Sequence, residues 1–283
     1  MNTGNRKKLF SMNRFIFTAL FLFAATFAAV AGNENEYEDS DYVKYMGKAD
    51  TAIIAGDWEV AEQNLLNAIA SDPNNPTRVM ILSNLGLVQY NLGRDSLALR
   101  SLNEAHAMAP KSTKVLGNRA EVLMAMGRDD DAYADYTTIL SLDSTLVESR
   151  YMHSLLALRL ERFDDALSDC RKLEAASPDS YDTHLAYGSY YTATSQWNLA
   201  LPHYSAIIAS EPSAPIYCAR AVCYLMLDRL NEASSDITSG LELEPDNSEL
   251  YFYRAHLNKK RFMTDDARAD MKRALELRNK GGR

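Results

Sequence analysis

The sequence predicts an all-α protein built as a linear stack of helix–turn–helix units, and three observations carry that reading. One pattern returns seven times: with Ala61 as anchor, equivalent alanines stand at Ala98, Ala132, Ala166, Ala200, Ala233 and Ala267, in steps of 37, 34, 34, 34, 33 and 34 residues. Fixed companions surround each anchor. Twelve residues earlier comes a small residue (Ala49, Gly86, Ala120, Ser154, Gly188, Ala221, Ala255), and four later a bulky or apolar one (Leu65, Leu102, Tyr136, Cys170, Tyr204, Ile237, Met271). Twelve later comes a proline in five of the seven (Pro73, Pro110, Pro178, Pro212, Pro245), with Ser144 and Asn279 in the others. The composition suits helices with short turns, with 12 glycines, 8 prolines and 47% hydrophobic residues in 283. One unit cannot bury its apolar face alone, so neighbours must stack into a continuous core.

Taken in order, residues 1–31 read as an export signal. Arg6, Lys7, Lys8 and Arg14 supply the positive start, Phe15 to Ala29 the apolar run, and Ala29-Val30-Ala31 the small-residue cleavage pattern. The run is short for a membrane-spanning helix, and no cysteine is present for a lipid anchor. Residues 32–41 are acidic, with Glu34, Glu36, Glu38, Asp39 and Asp41, and are expected to form a disordered lead-in. Seven units follow near 42–75, 79–112, 113–146, 147–180, 181–214, 214–247 and 248–281.

In the first unit Gly56-Asp57 breaks one helix. Ala61, Leu65 and Ala68 then share one face of the next, and Pro73 stops it. Pro76-Thr77-Arg78 account for the step of 37 and should lengthen a loop, where insertion costs least. Asp129-Asp130-Asp131, Asp164-Asp165 and Asp265-Asp266 recur before an anchor, where acids suit a helix N-terminus, and are read as caps rather than metal ligands. Pro202 falls near the start of a second helix and Pro215 at the start of a first, both tolerated places. In the last unit Ala267, Met271 and Ala274 should be buried. Arg268, Lys272, Arg273 and Glu276 give that unit the polar face an end cap needs, and Gly281-Gly282 closes it.

Helices approach closely only where neither carries a large side chain. The small residue therefore marks mid-helix on the first helix of each unit, and the anchor alanine marks the crossing on the second. The residue four past the anchor should fill the space between adjacent pairs. A period of 34 with small residue, alanine, aromatic and proline at these spacings resembles the tetratricopeptide repeat family, over residues 42 to about 280. The resemblance implies a right-handed superhelical solenoid of about seven repeats whose concave groove is lined by the first helices. It says little about function, which has to be argued from a site.

Catalytic signatures are missing. There is no HExxH, no glycine-rich phosphate loop with lysine, no GxSxG and no CxxC, so a non-enzyme without catalytic residues, cofactor or metal is expected. His106, His153, His184, His203 and His256 are scattered over four repeats and are read as partly exposed helix residues. Cys218 and Cys223, five apart on one helix, lie about 7.5 Å apart along its axis, beyond disulfide reach. With Cys170 at a core position, all three are read as buried free thiols. The net charge is −8, from 30 basic and 38 acidic residues. Removing residues 1–31 takes four basic residues and no acid, leaving −12, which argues against nucleic-acid binding by bulk charge.

Asn118-Arg119-Ala120, with Lys114 and Asn84 nearby, resembles the carboxylate clamp of co-chaperone repeats. Met46 and Asp50 in one frame, and Ser83, Leu87, Glu148 and Met152 in the other, leave that clamp incomplete. The resemblance instead gives a groove of Val43, Met46, Ile53, Met80, Tyr90, Met124, Tyr151, Leu155, Leu158, Leu185, Val222, Met226 and Phe252. Asp50, Glu121, Glu148, Arg159, Asp182 and His256 are interspersed. An apolar, aromatic and methionine-bearing line suits a peptide or helix of another protein. At the end of the last first helix stand Lys259 and Lys260. Residues 248–283 carry ten basic and five acidic residues, a net of +5, against −17 over residues 32–247. The expected function is an exported, non-enzymatic interaction scaffold in a bacterial envelope or periplasm, with no integral span in the mature form. The alternative is an accessory subunit of an envelope enzyme or a secretion or assembly complex. Partner identity and oligomeric state are not legible.

Overall fold

The computed structural model describes residues 40–281, in which fourteen α-helices and no strand are present. They are α1 (Asp41–Ala55), α2 (Trp58–Ser71), α3 (Arg78–Asn91), α4 (Asp95–Met108), α5 (Thr113–Ala125), α6 (Asp129–Leu142) and α7 (Val147–Arg159). Then come α8 (Phe163–Ala176), α9 (Tyr181–Ala193), α10 (Trp197–Ser210), α11 (Ala214–Met226), α12 (Leu230–Leu243), α13 (Ser248–Lys260) and α14 (Thr264–Gly281). Odd and even helices pair as seven hairpins, the number expected from the anchors. The chain divides into two compact units at Ser149–Arg150, early in α7. The expected export signal and nearly all of the acidic lead-in lie outside the described residues. Of the lead-in, Ser40 caps α1 and Asp41 is that helix's first residue.

Four of the seven hairpins start on a side-chain cap. Ser40, Ser112, Ser180 and Asn247 cap α1, α5, α9 and α13, each side-chain oxygen accepting a first-turn backbone N–H. Such a cap is worth about 1 kcal/mol. The turn inside every hairpin has one left-handed residue five before the anchor: Gly56, Gly93, Gly127, Glu161, Ser195, Asp228 and Phe262, with φ between 58° and 75°. In each, the next N–H reaches back to the preceding helix, as Arg94 N does to Gln89 O at 2.8 Å and Met263 N to Asn258 O at 2.9 Å.

The acidic runs are not caps. Asp129–Asp131, Asp164–Asp165 and Asp265–Asp266 occupy first turns; the cap residues before α6 and α8 are Arg128 and Arg162, neither with a side-chain cap bond. The acids stand where the helix dipole favours them, and Asp131 also pairs with Arg128 and Asp265 with Arg268. Pro202 also sits deeper than expected. It is the sixth residue of α10, on an exposed face, and removes one bond of the helical ladder.

The core follows the period. Ala61, Ala98, Ala132, Ala166, Ala200 and Ala233 are fully buried. In the first unit of the chain, Leu65 packs among Met46, Ala49 and Ile53 of α1 and Ile81, Leu85 and Val88 of α3, filling the space between hairpins. In the second, Ile237 does the same between Cys218 and Ala221 of α11 and Leu250 and Leu257 of α13. The same side chain also fills its own hairpin. A Cβ at Gly86 would lie 2.5 Å from Leu102 Cγ, and one at Gly188 would lie 2.7 Å from Tyr204 Cε1. The last repeat departs from the pattern: Ala274 is buried, but Ala267 and Met271 are only half-buried. They lie on α14, the last described helix, which packs chiefly on α13.

Candidate partner-binding surface

The first helix of each hairpin carries the expected groove residues, and burial sorts them. In the N-terminal unit Met46, Ile53 and Met124 are core side chains, so they are not available to a partner. Met46 and Ile53 fill the α1–α2–α3 cluster. Met80 is exposed and Tyr90 half-buried, Tyr90 packing on Leu87, Leu102 and Val122. In the C-terminal unit Leu158 and Val222 are buried. Tyr151, Leu155, Leu185 and Phe252 are half-buried, and Met226, Lys259 and Lys260 are exposed. The correction has a simple cause. First helices pack on their hairpin partners, and α3 also packs on α5 and α11 on α13, so residues near those seams are consumed by packing.

The polar residues on these helices have particular environments. In the N-terminal unit, Glu121 on α5 has its carboxyl pushed up to about 7, first by burial and then by the like charge of Glu148 on α7, with Lys114 opposing. Its Oε2 is buried without a hydrogen-bond partner. Burial followed by the nearby Glu121 and Glu148 charges drives the Tyr136 hydroxyl up, so it stays protonated. In the C-terminal unit burial raises the carboxyl of Asp182, and the Phe252 and His256 rings meet at a 49° tilt with centroids 4.4 Å apart. Lys260 Nζ lies 2.9 Å from Asp228 Oδ1, an exposed pair, while Arg261 donates to Leu230 O and Asn231 Oδ1, each at 3.0 Å.

A second constellation is structural. Three past the anchor, Asp135, Asp169, Asp236 and Asp270 are buried. Each faces a base sixteen residues earlier on the first helix. Arg119 grips Asp135 at 2.6 and 2.8 Å, Arg220 grips Asp236 at 2.7 and 2.9 Å, and Arg254 grips Asp270 at 2.6 and 2.9 Å. Asp169 takes His153 Nδ1 at 2.5 Å and Arg150 at 3.2 Å. His153 is therefore buried and hydrogen-bonded to Asp169, not a partly exposed helix residue. The signal lies in the sequence, as an acid at one register and a base sixteen earlier, but only the aligned anchors separate it from the other surface charges.

Cys170, Cys218 and Cys223 are free and buried, and burial raises all three thiols. Among the described residues no three His, Cys, Asp or Glu side chains are placed to hold a metal ion. No described helix is long and apolar enough to cross a membrane.

A family model described as tetratricopeptide repeat matches residues 46–113 and 151–215. The crystal structure of a tetratricopeptide repeat protein from Parabacteroides merdae superposes with a TM-score of 0.76 at 25% identity, covering 84% of this chain and 93% of that one. The fold is a tetratricopeptide-repeat solenoid. The same repeat fold is seen at 15% identity in the APC/C hetero-tetramer Cut9–Hcn1, with a TM-score of 0.63 over 82% of this chain and 52% of that one. Among curated proteins, the DnaJ homolog subfamily C member 7 homolog of Dictyostelium discoideum is 21% identical over 271 residues, 86% of this chain and 50% of that protein. The chain thus spans about half the length of this curated relative.

Proposed function

We propose that the chain is an exported, non-enzymatic scaffold that holds a peptide or helical segment of a partner protein along its first helices. The observation that carries the reading is the set of apolar side chains left partly uncovered there: Tyr151, Leu155, Leu185, Phe252 and Met226 in the C-terminal unit, and Met80 and Tyr90 in the N-terminal unit. A solenoid could cover these faces with its own packing, as it covers Met46 and Leu158. Aromatic and methionine side chains give a large contact area and adapt to different sequences. The Glu121–Glu148 pair adds polarity to the N-terminal surface, and a basic side chain of the bound segment would relieve it. The export reading rests on the charged start, apolar run and cleavage pattern of residues 1–31. Neither the comparison proteins nor the fold bears on it.

The test is co-purification from native envelopes with mass spectrometry, followed by binding of the recovered partner to wild type and to Leu155→Asp/Phe252→Asp. The proposal expects at least a tenfold loss of affinity with unchanged helicity. Equal affinity for both proteins would remove the first-helix surface as the site. Catalytic turnover by the isolated chain would overturn the non-enzymatic reading.

A further inference from the structure

Four hairpins share the buried acid–base clip described above, and the fifth, α9–α10, replaces it. Tyr187 stands where three of the others have arginine, and His203 stands where all four have aspartate. The two rings stack with centroids 5.1 Å apart and 16° between planes. Tyr191 stacks on the other member of that pair, His203, at 5.7 Å and 29°. From α9, His184 places Nδ1 3.1 Å from His203 Nδ1. Two ring nitrogens at that distance form a hydrogen bond only when one carries the proton and the other a lone pair; two imidazolium rings would oppose donor to donor.

The groups facing the pair come from three helices. On α9 they are His184, Tyr187 and Tyr191. From α8, Glu174 accepts the Tyr187 hydroxyl at 2.7 Å, and Cys170 lies close to the same tyrosine. From α11, Arg220 donates to Ser205 Oγ at 2.9 Å, two residues beyond His203 on α10. Arg220 is itself gripped by Asp236, so the charged groups acting on His203 are His184 and the opposing carboxylate of Glu174.

We propose that α9–α10 is an acid-labile joint: mild acidification places a proton on both histidines, breaks their hydrogen bond and opens this hairpin while the aspartate-clipped hairpins stay closed. Burial first, and His184 second, hold the His203 imidazole below its usual range, with Glu174 opposing. A histidine lowered in the folded state costs stability as the pH falls below the ordinary imidazole range, because the unfolded chain takes up the proton first. In the fourth hairpin His153 faces the Asp169 carboxylate rather than a second imidazole nitrogen. Leu185 rides on α9, so opening withdraws one of the half-buried groove side chains.

The experiment is hydrogen–deuterium exchange of the full chain at pH 7.5 and pH 5.5, corrected for intrinsic exchange and resolved by hairpin. For wild type, the opening of α9–α10 should rise several-fold on acidification, because the open hairpin takes up protons that the closed one excludes. The α11–α12 hairpin, which carries the aspartate clip and no histidine, should be unchanged. Tyr187→Arg/His203→Asp, which installs the clip of the other hairpins, should abolish the rise. His184→Gln should reduce it and serves as the readout if the double variant does not fold. A wild-type rise shared equally by all hairpins, no rise in α9–α10, or a full rise retained in a folded variant would each overturn the proposal.

Discussion

Glu121 shows at the scale of one residue what burying a carboxyl beside a like charge costs. Its carboxyl is held up near 7 against an ordinary value of 4.5, so the folded state binds the proton more tightly than the unfolded one. Stability is then fully present below the ordinary carboxylate range and declines as pH rises toward neutrality. Glu121→Gln keeps the shape and removes the charge. Thermal or urea unfolding should find it more stable than wild type by roughly 1–3 kcal/mol at pH 8, with the difference vanishing near pH 4. A constant difference across that range would mean that the charge is not what strains the site. The sequence placed Glu121 on the groove side but carried no sign of its burial. Burial depends on how closely α5 packs its neighbours, and a 34-residue period does not encode that distance.

The hairpin is the element that repeats, and its left-handed turn residue shows how far the sequence could be read. Gly56, Gly93 and Gly127 announce the turn, since only glycine takes that conformation without cost. Glu161, Ser195, Asp228 and Phe262 do not, yet the backbone is the same, because the packing of both helices fixes it. Phe262 is the extreme case, a bulky residue at φ 62° with 90% of its surface exposed. Phe262→Gly should therefore stabilise the chain by about 1 kcal/mol in denaturant unfolding, whereas Gly93→Phe should do the opposite. No gain from Phe262→Gly would mean that the phenylalanine makes contacts offsetting its strain. The anchors were legible for a related reason: close helix crossings tolerate only small residues, so period and chemistry coincide. Ala267 broke that rule because α14 packs chiefly on one helix.

For the molecule as a whole, the period made the repeat fold readable before any coordinates, while the usable part of the groove was not. Met46 shares its register with Phe252, fifteen before the anchor, and only packing separates core from surface there, whereas Ile53, Met124 and Leu158 all stand eight before their anchors and all are buried. The clip of Asp135, Asp236 and Asp270 was likewise hidden among ordinary charges. What remains at molecular scale is the claim that the first helices of the solenoid hold a protein segment. The most direct measurement is site-specific photo-crosslinking in the native envelope. The crosslinker would be placed at Leu155, Leu185 and Phe252 on first helices, and at the exposed Leu199 and Leu243 on second helices. The first set should capture one common protein and the second set should not. Capture of that protein with equal yield from Leu199 and Leu243, or only from them, would contradict the assignment of the first helices as the binding surface.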